Sequence, residues 1–337
     1  MTDELVQRGV AEIGLPRLPS DGKAGEGGAV IIDLSKYNLD VAMLRKSNGA
    51  GLYLTSDLPL AMAKFKKFNV DESVVVTGAE QNFYFKQLHK ILEIIGFKEK
   101  LTHIGYGLVN LKEGKMSSRL GNVILYEDLR DEVYEKLKDE SAQRHADWSE
   151  KKINQTAYVL AMAALKFDMQ KHEGAKNIIF DIKEAASFNG FTGPYILYVV
   201  ARIHSILKKS TTAASGVPLH GGKVQSPKSP PASQARALRA GKVQYDLLDK
   251  PEEKQLLLLL AKYEEVVKEA LAQYNPSVIT RYCFDLAQQF NDFYNKHSVL
   301  NAENKGLVGA RLQLSAAVRN VLENALGLLG IDTVEEM

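Results

Sequence analysis

The sequence predicts a two-part chain: a partial α/β domain followed by an all-α helical domain. Three observations lead there. Apolar strand-like runs alternate with helical periodicity as far as Trp148. Beyond it the strand signal fades and long helical patterns follow, three of them opening at Pro194, Pro251 and Pro276, where proline suits a first turn. A glycine-flanked cationic loop, Gly114–Val123, lies between a strand pattern and a helix pattern of the first part. Open α/β sheets hold their ligands at such strand ends.

In chain order, residues 1–28 show little periodicity and end in a glycine-rich run, which predicts a loose N-terminal segment. Residues 29–145 form the α/β part. Ala29–Asp33 reads as a short strand. Val41–Lys46 and Gly51–Thr55 read as a hairpin around Ser47–Ala50, with Asp57 as N-cap of a helix over Leu58–Phe68. Ser73–Thr77 reads as a buried strand, and Gln81–Ile95 as a helix closed by Gly96. Leu101–Leu111 reads as one strand feeding the Gly114 loop, followed by a helix over Tyr126–Arg144. Residues 146–190 are a connecting helical segment that includes a helix over Lys151–Phe167, and 191–337 the helical domain. Its helices are expected at Pro194–Ser210, Pro251–Tyr274, Pro276–Val299 and Gly306–Leu329. The stretch 211–243 interrupts them. It has no acid, carries Lys223, Lys228, Arg236, Arg239 and Lys242, and is too polar to offset its ordering entropy. It reads as a solvated linker or as a tethered basic strip against RNA phosphates.

Composition narrows the class. With 337 residues, 45% apolar and 25% charged, the chain has the balance of a soluble globular protein with room for two cores. No apolar run approaches a membrane span, and the first residues lack a secretory pattern, so a cytoplasmic protein is expected. The single cysteine, Cys283, excludes an internal disulfide and reads as a small buried hydrophobe. A net charge of +2 means that nucleic-acid binding needs a local basic face. His172, His204 and His220 have no ligand spacing with one another or with Cys283, so no structural metal is expected.

In the Gly114 loop, Lys115 supplies a compact ammonium and Arg119 a planar guanidinium, with Ser117 and Ser118 as neutral donors around Met116. Such a set suits a polyphosphate, although the string alone also fits a basic surface turn. Tyr53 and Asp57 could receive a guanidinium by stacking and by a carboxylate, or be merely a strand residue and a cap. Tyr195, Tyr198 and Arg202 share a helix face and could unstack the bases of a single-stranded loop, or pack in a bundle.

The strings GKMSSRLGNV (114–123), VAMLRKSNGAGLYLTSDL (41–58), VTGAEQNFYFKQ (76–87), TGPYILY (192–198) and GIDTVEEM (330–337) together resemble the arginyl-tRNA synthetase family, in family order. The first resembles the KMSKS loop of class I aminoacyl-tRNA synthetases in its arginyl variant. The resemblance implies a partial Rossmann-like catalytic domain followed by a helical anticodon-binding domain, and attachment of arginine to its tRNA through an arginyl-adenylate. ATP with Mg²⁺ would be a substrate, with no tightly bound cofactor. The segment bearing the family's HIGH motif has no counterpart here, nor has its N-terminal tRNA-binding extension, so a separate N-terminal half is an implied partner. His103-Ile-Gly-Tyr106 reads as strand and not as that motif.

By resemblance, Lys115, Ser117, Ser118 and Arg119 are catalytic, and Tyr53, Asp57 and Gln81 hold the arginine side chain. His103, Gly105, Lys115, Met116 and Arg119 meet ATP, and Tyr195, Tyr198, Arg202, Tyr282 and Met337 meet the anticodon. The chain departs from the family pattern at Ser56 (usually arginine), Tyr84 (histidine), Leu120 (lysine) and Leu197 (glutamine). These departures put a nucleotide contact and a phosphate charge in doubt. The missing HIGH half, Tyr84 and Leu120 favour a different reading, a non-catalytic tRNA-binding or regulatory paralogue.

Overall fold

The computed structural model describes residues 1–14, 28–112, 125–215 and 244–337, and the side chains of all of these except 211–215. Two compact units emerge: Met1–Leu108 with Gly174–Asn177, and Val109–Glu173 with Ile178–Met337.

The first unit opens with helix α1 (Thr2–Gln7) and strand β1 (Glu12–Gly14), where a loose segment was expected. Leu5 and Ala11 are buried, and β1 pairs antiparallel with β2 (Ala29–Asp33), so apolar burial and a sheet ladder order residues 1–14, while 15–27 lie outside the described residues. Strand β3 (Val41–Arg45) completes the three-stranded sheet, with Asp33 opposite Val41. Alternation decides its faces: Ala42 and Leu44 are buried, Val41 and Met43 exposed.

The turn after β3 forms as expected, closed by Lys46 N–H to Ala50 C=O at 2.8 Å. Its second arm, however, shrinks to the single bridge Arg45–Gly51, and helix α2 (Tyr53–Phe68) starts at once. The Thr55 hydroxyl explains the early start. It accepts the Leu52 N–H at 3.1 Å and donates to Leu44 C=O, capping the helix from within its first turn. Asp57 therefore lies inside α2 and is not its cap.

Strand β4 (Glu72–Gly78), helix α3 (Asn82–Ile94) and strand β5 (Lys100–Tyr106) form a βαβ unit, with the strands in parallel register from Glu72–Lys100 to Gly78–Tyr106. The helix buries Phe85, Leu88, Ile91 and Leu92. Contrary to the fully buried strand expected, only one face of β4 packs, because Val74 and Val76 point outward and are exposed.

The expected single strand 101–111 divides at Gly107. A Cβ on Gly107 would stand 2.0 Å from Lys176 C=O, and the Gly107 N–H donates to Gly174 C=O at 2.7 Å. Glycine is thus obligatory where the chain leaves β5. Strand β6 (Val109–Leu111) then pairs parallel, in the second unit, with β7 (Ile178–Phe180), a strand the sequence did not signal.

The second unit is otherwise helical. Helix α4 (Tyr126–Arg144) buries Leu129, Val133, Leu137 and Ser141, one side chain per turn, against α5 (Glu150–Gln170), whose N-cap Ser149 accepts the Lys152 N–H. A single-turn helix α6 (Ile182–Ala185) leads to α7 (Gly193–Ser215). The helix expected over Pro251–Tyr274 is two, α8 (Pro251–Ala261) and α9 (Tyr263–Gln273), with the break at Lys262. The Tyr282 hydroxyl donates to Leu259 C=O at 2.9 Å, satisfying an acceptor in the last turn of α8. Helices α10 (Ser277–Lys296) and α11 (Lys305–Leu328) complete the bundle. Its core joins Phe167, Ile196, Phe290, Phe293, Leu314 and Leu322.

The most deeply buried ion pair among the described residues lies inside the bundle: Arg311 Nε meets Glu253 Oε1 at 2.7 Å, with side-chain exposures of 6% and 0%. The tail folds back on the bundle. Gln170 donates to Leu329 C=O, and Glu336 bridges Lys152 and Lys208 at 2.5 and 2.7 Å. Among the described residues no helix is long and apolar enough to cross a membrane. Most of the 211–243 insert, from 216 onward, lies outside the described residues.

Candidate functional site

Lys115, Met116, Ser117, Ser118 and Arg119 fall within 113–124 and so lie outside the described residues. The other proposed groups can be placed.

In the first unit, Tyr53 is the first residue of α2 and is 80% exposed; Asp57, one turn on, is half-buried. Both sit on a helix, not at a strand end. The Asp57 carboxylate is not idle: Tyr84, in the first turn of α3, donates its hydroxyl to Asp57 Oδ2 at 2.5 Å. Burial and this bond raise the Tyr84 phenol pKa well above the usual tyrosine value, so it stays a donor at neutral pH. Gln81 ends the short 3₁₀ turn that precedes α3 and is exposed.

His103 sits mid-strand in β5, not at a helix start, as expected if it is not a HIGH histidine. Its ring stacks on Phe85 at 4.0 Å, and its Nε2 lies 2.8 Å from Thr77 Oγ1. Burial lowers its pKa, which favours the neutral imidazole. Two residues along, Gly105 admits the start of α3 against the strand, since a Cβ there would meet Asn82 Oδ1 at 2.2 Å. The carboxyl ends of β4 and β5 therefore meet the N-terminus of α3 with little side-chain bulk between them, the usual ligand side of a parallel sheet.

In the second unit, Tyr195, Tyr198 and Arg202 form one surface of α7, and all three are half-buried. The Arg202 guanidinium lies over the Tyr198 ring at 4.6 Å, donates to the Tyr198 hydroxyl, and donates to Asn291 Oδ1 at 2.8 Å. Asn291 in turn donates to the Tyr195 hydroxyl at 2.9 Å, and the Tyr294 ring lies 5.5 Å from the guanidinium. These bonds fix two tyrosine edges and an arginine plane in one array.

Tyr282 does not join it. It is 5% exposed, stacks on Tyr263 at 5.5 Å and spends its hydroxyl on Leu259 C=O, so its expected place at an RNA surface is corrected to the core. It belongs to the buried stripe of α10 with Ile279, Leu286, Phe290 and Phe293. Asn291 and Tyr294, missed by sequence reasoning, take the α10 positions beside Arg202. Met337 is half-buried against the helical core. No group of three or more metal-ligating side chains occurs among the described residues.

Residues 21–182 match the family model for the catalytic domain of class I (R) tRNA synthetases, and residues 196–337 match the DALR anticodon binding domain. The arginine–tRNA ligase of Clostridium acetobutylicum is 37% identical over 312 residues, 92% of this chain and 50% of that protein. That of Phocaeicola vulgatus is 35% identical over 93% of this chain and 48% of its own length. The chain belongs to the arginyl-tRNA synthetase family. It spans about half the length of the curated relatives it matches. Thermus thermophilus arginyl-tRNA synthetase shares its fold with a TM-score of 0.76 at 25% identity, covering 100% of this chain and 58% of that one. Within the family frame, the class I match runs through the Gly114 loop to β7, and the DALR match begins inside α7.

Proposed function

We propose that this chain supplies the later half of an arginine–tRNA ligase: part of its catalytic site, and its anticodon reader. In that reaction the arginine carboxylate attacks the α-phosphate of ATP, pyrophosphate leaves, and a terminal ribose hydroxyl of the tRNA then takes arginine from the adenylate, releasing AMP. Lys115 and Arg119, with Ser117 and Ser118, would stabilise charge on the departing pyrophosphate, and Mg²⁺ would enter bound to ATP. Asp57, Tyr53 and Gln81 would take the arginine side chain. Gly105 near the open end of β5, His103 in the middle of that strand, and Met116 would border the nucleotide. Tyr195, Tyr198, Arg202 and Met337 would meet the anticodon loop. The reading places the chain in the cytoplasm with tRNA, arginine and ATP.

One observation carries this proposal: a class I (R) catalytic match and a DALR match lie in family order over nearly the whole chain. A second reading, a non-catalytic tRNA-binding or regulatory paralogue, draws support from Tyr84, which stands where the family pattern has a histidine and bonds one oxygen of the carboxylate proposed for arginine. Arginine-dependent exchange of pyrophosphate into ATP, with tRNA present, separates the two. Removing a single transition-state donor typically costs about 10²–10³ in rate, so the chain alone should show none. Adding a separately expressed HIGH-bearing half of a relative should restore exchange, and Lys115→Ala should then lower kcat far more than it alters arginine affinity. Assembly with that half and binding of tRNA, but without exchange, would favour the non-catalytic reading.

A further inference from the structure

The bond between Tyr84 and Asp57 joins two elements that the turn chemistry alone would not link. Asp57 is half-buried in α2, and Oδ1 of its carboxylate has no hydrogen-bond or ion-pair partner among the described residues. The neighbouring Ser56 hydroxyl is turned back onto Tyr53 C=O at 2.9 Å and does not serve Asp57. Among the described residues the carboxylate is thus steadied by one neutral donor and balanced by no cation, a state that favours a cationic ligand over a neutral one. Tyr84 is itself held: its ring lies edge-on to Phe85 at 5.3 Å, and Phe85 is stacked on His103.

We infer that Tyr84 is a positioning residue for the arginine pocket: its hydroxyl fixes the Asp57 carboxylate through Oδ2 and leaves Oδ1 turned to the guanidinium. The inference rests on the proposed role of Asp57. Four lone-pair directions surround a carboxylate, so one tyrosine bond orients the group without filling it. The gain is selectivity, because a fixed anion rewards a guanidinium but offers little to a neutral ureido group of the same shape.

Calorimetric titration of the full chain with arginine and with citrulline tests this, using Tyr84→Phe, which keeps the ring and loses the donor. Hydrogen bonds to charged groups are strong enough that arginine affinity should fall about tenfold, with citrulline binding unchanged. Asp57→Asn should erase the preference for arginine. An ultraviolet difference titration checks the bond itself: the high-titrating phenol that Tyr84→Phe deletes should fall part of the way toward the ordinary tyrosine range in Asp57→Asn, since burial remains. If Asp57→Asn abolishes arginine binding while Tyr84→Phe leaves it intact, the positioning role is overturned and the arginine site stands. If the parent chain binds no arginine, both fall.

Discussion

Glu253→Gln should destabilise the helical unit by far more than its conservative chemistry suggests. Glu253 is 0% exposed, and its two oxygens serve two donors, Arg311 Nε at 2.7 Å and the Lys250 N–H at 3.0 Å. Arg311 is 5% exposed and also donates to Ser298 C=O at 2.8 Å. An amide offers one oxygen to the two donors and no charge to the guanidinium, so a buried cation is left unbalanced. Breaking a buried pair in this way costs about 3–5 kcal/mol. For a unit of this size each kcal/mol moves Tm by about 2–4 °C, which predicts a loss of about 6–20 °C. Thermal and denaturant unfolding of the full chain, followed by circular dichroism, would measure it. Arg311→Met should be similarly harmful, because it strands the carboxylate. The double variant Glu253→Met with Arg311→Met should cost much less than the sum, since a packed apolar pair often replaces a buried ion pair with little loss. A Glu253→Gln penalty below about 1 kcal/mol, or additive single effects in the double variant, would refute the reasoning.

The docked tail should respond to acid in a defined window. Lys152 and Lys208 hold the Glu336 carboxyl at about 2, below its ordinary 4.5. A depressed carboxyl pKa stabilises the folded form above the unfolded value, and this contribution is lost as pH falls through the folded one. Lys152 also lies 3.7 Å from the ring of Trp148, the only tryptophan in the chain. Intrinsic fluorescence should therefore change as pH falls from 4.5 toward 2 and lose that step in Glu336→Gln; an identical titration in the variant would disprove the link. Cys283 is fully buried in α10 and its thiol is pushed up to about 12. It should resist an aromatic disulfide reagent in mildly alkaline buffer until the chain is denatured, and prompt stoichiometric labelling of the native protein would contradict its placement.

Much of the helical half was legible because its signals are long and redundant. Tyr126–Arg144 has the bounds its periodicity predicts, and Asn82–Ile94 ends at Gly96 as a left-handed closing glycine requires. What was not legible depended on distant partners. Nothing local marks Glu12–Gly14 as a strand until Ala29–Asp33 lies beside it, or Ile178–Phe180 until Val109–Leu111 does. Thr55 outcompeted Asp57 as a cap because its hydroxyl could also reach Leu44 C=O, a contact made by the folded sheet. Tyr282 could have been placed correctly: it shares its helical face with Ile279, Leu286, Phe290 and Phe293, a core stripe already visible in the periodicity. Asn291 is the opposite case. An asparagine in mid-helix carries no signal until the tyrosine and arginine of another helix stand on either side of it.

The most direct test of the proposed function is an equilibrium titration of the chain, at fixed salt, with arginine tRNA and with a tRNA of unrelated anticodon. Base stacking on an aromatic side chain is worth about 1–3 kcal/mol per base, so Tyr195→Ala should weaken arginine tRNA binding by about 5- to 150-fold and shrink the preference between the two RNAs. Asn291→Ala, which removes the donor to the Tyr195 hydroxyl and one acceptor of Arg202, should act in the same direction. Tyr282→Phe, which loses only a core hydrogen bond to Leu259, should leave the preference intact. The account predicts selective binding of arginine tRNA that depends on Tyr195; equal affinity for the two RNAs, unmoved by Tyr195→Ala, would contradict it.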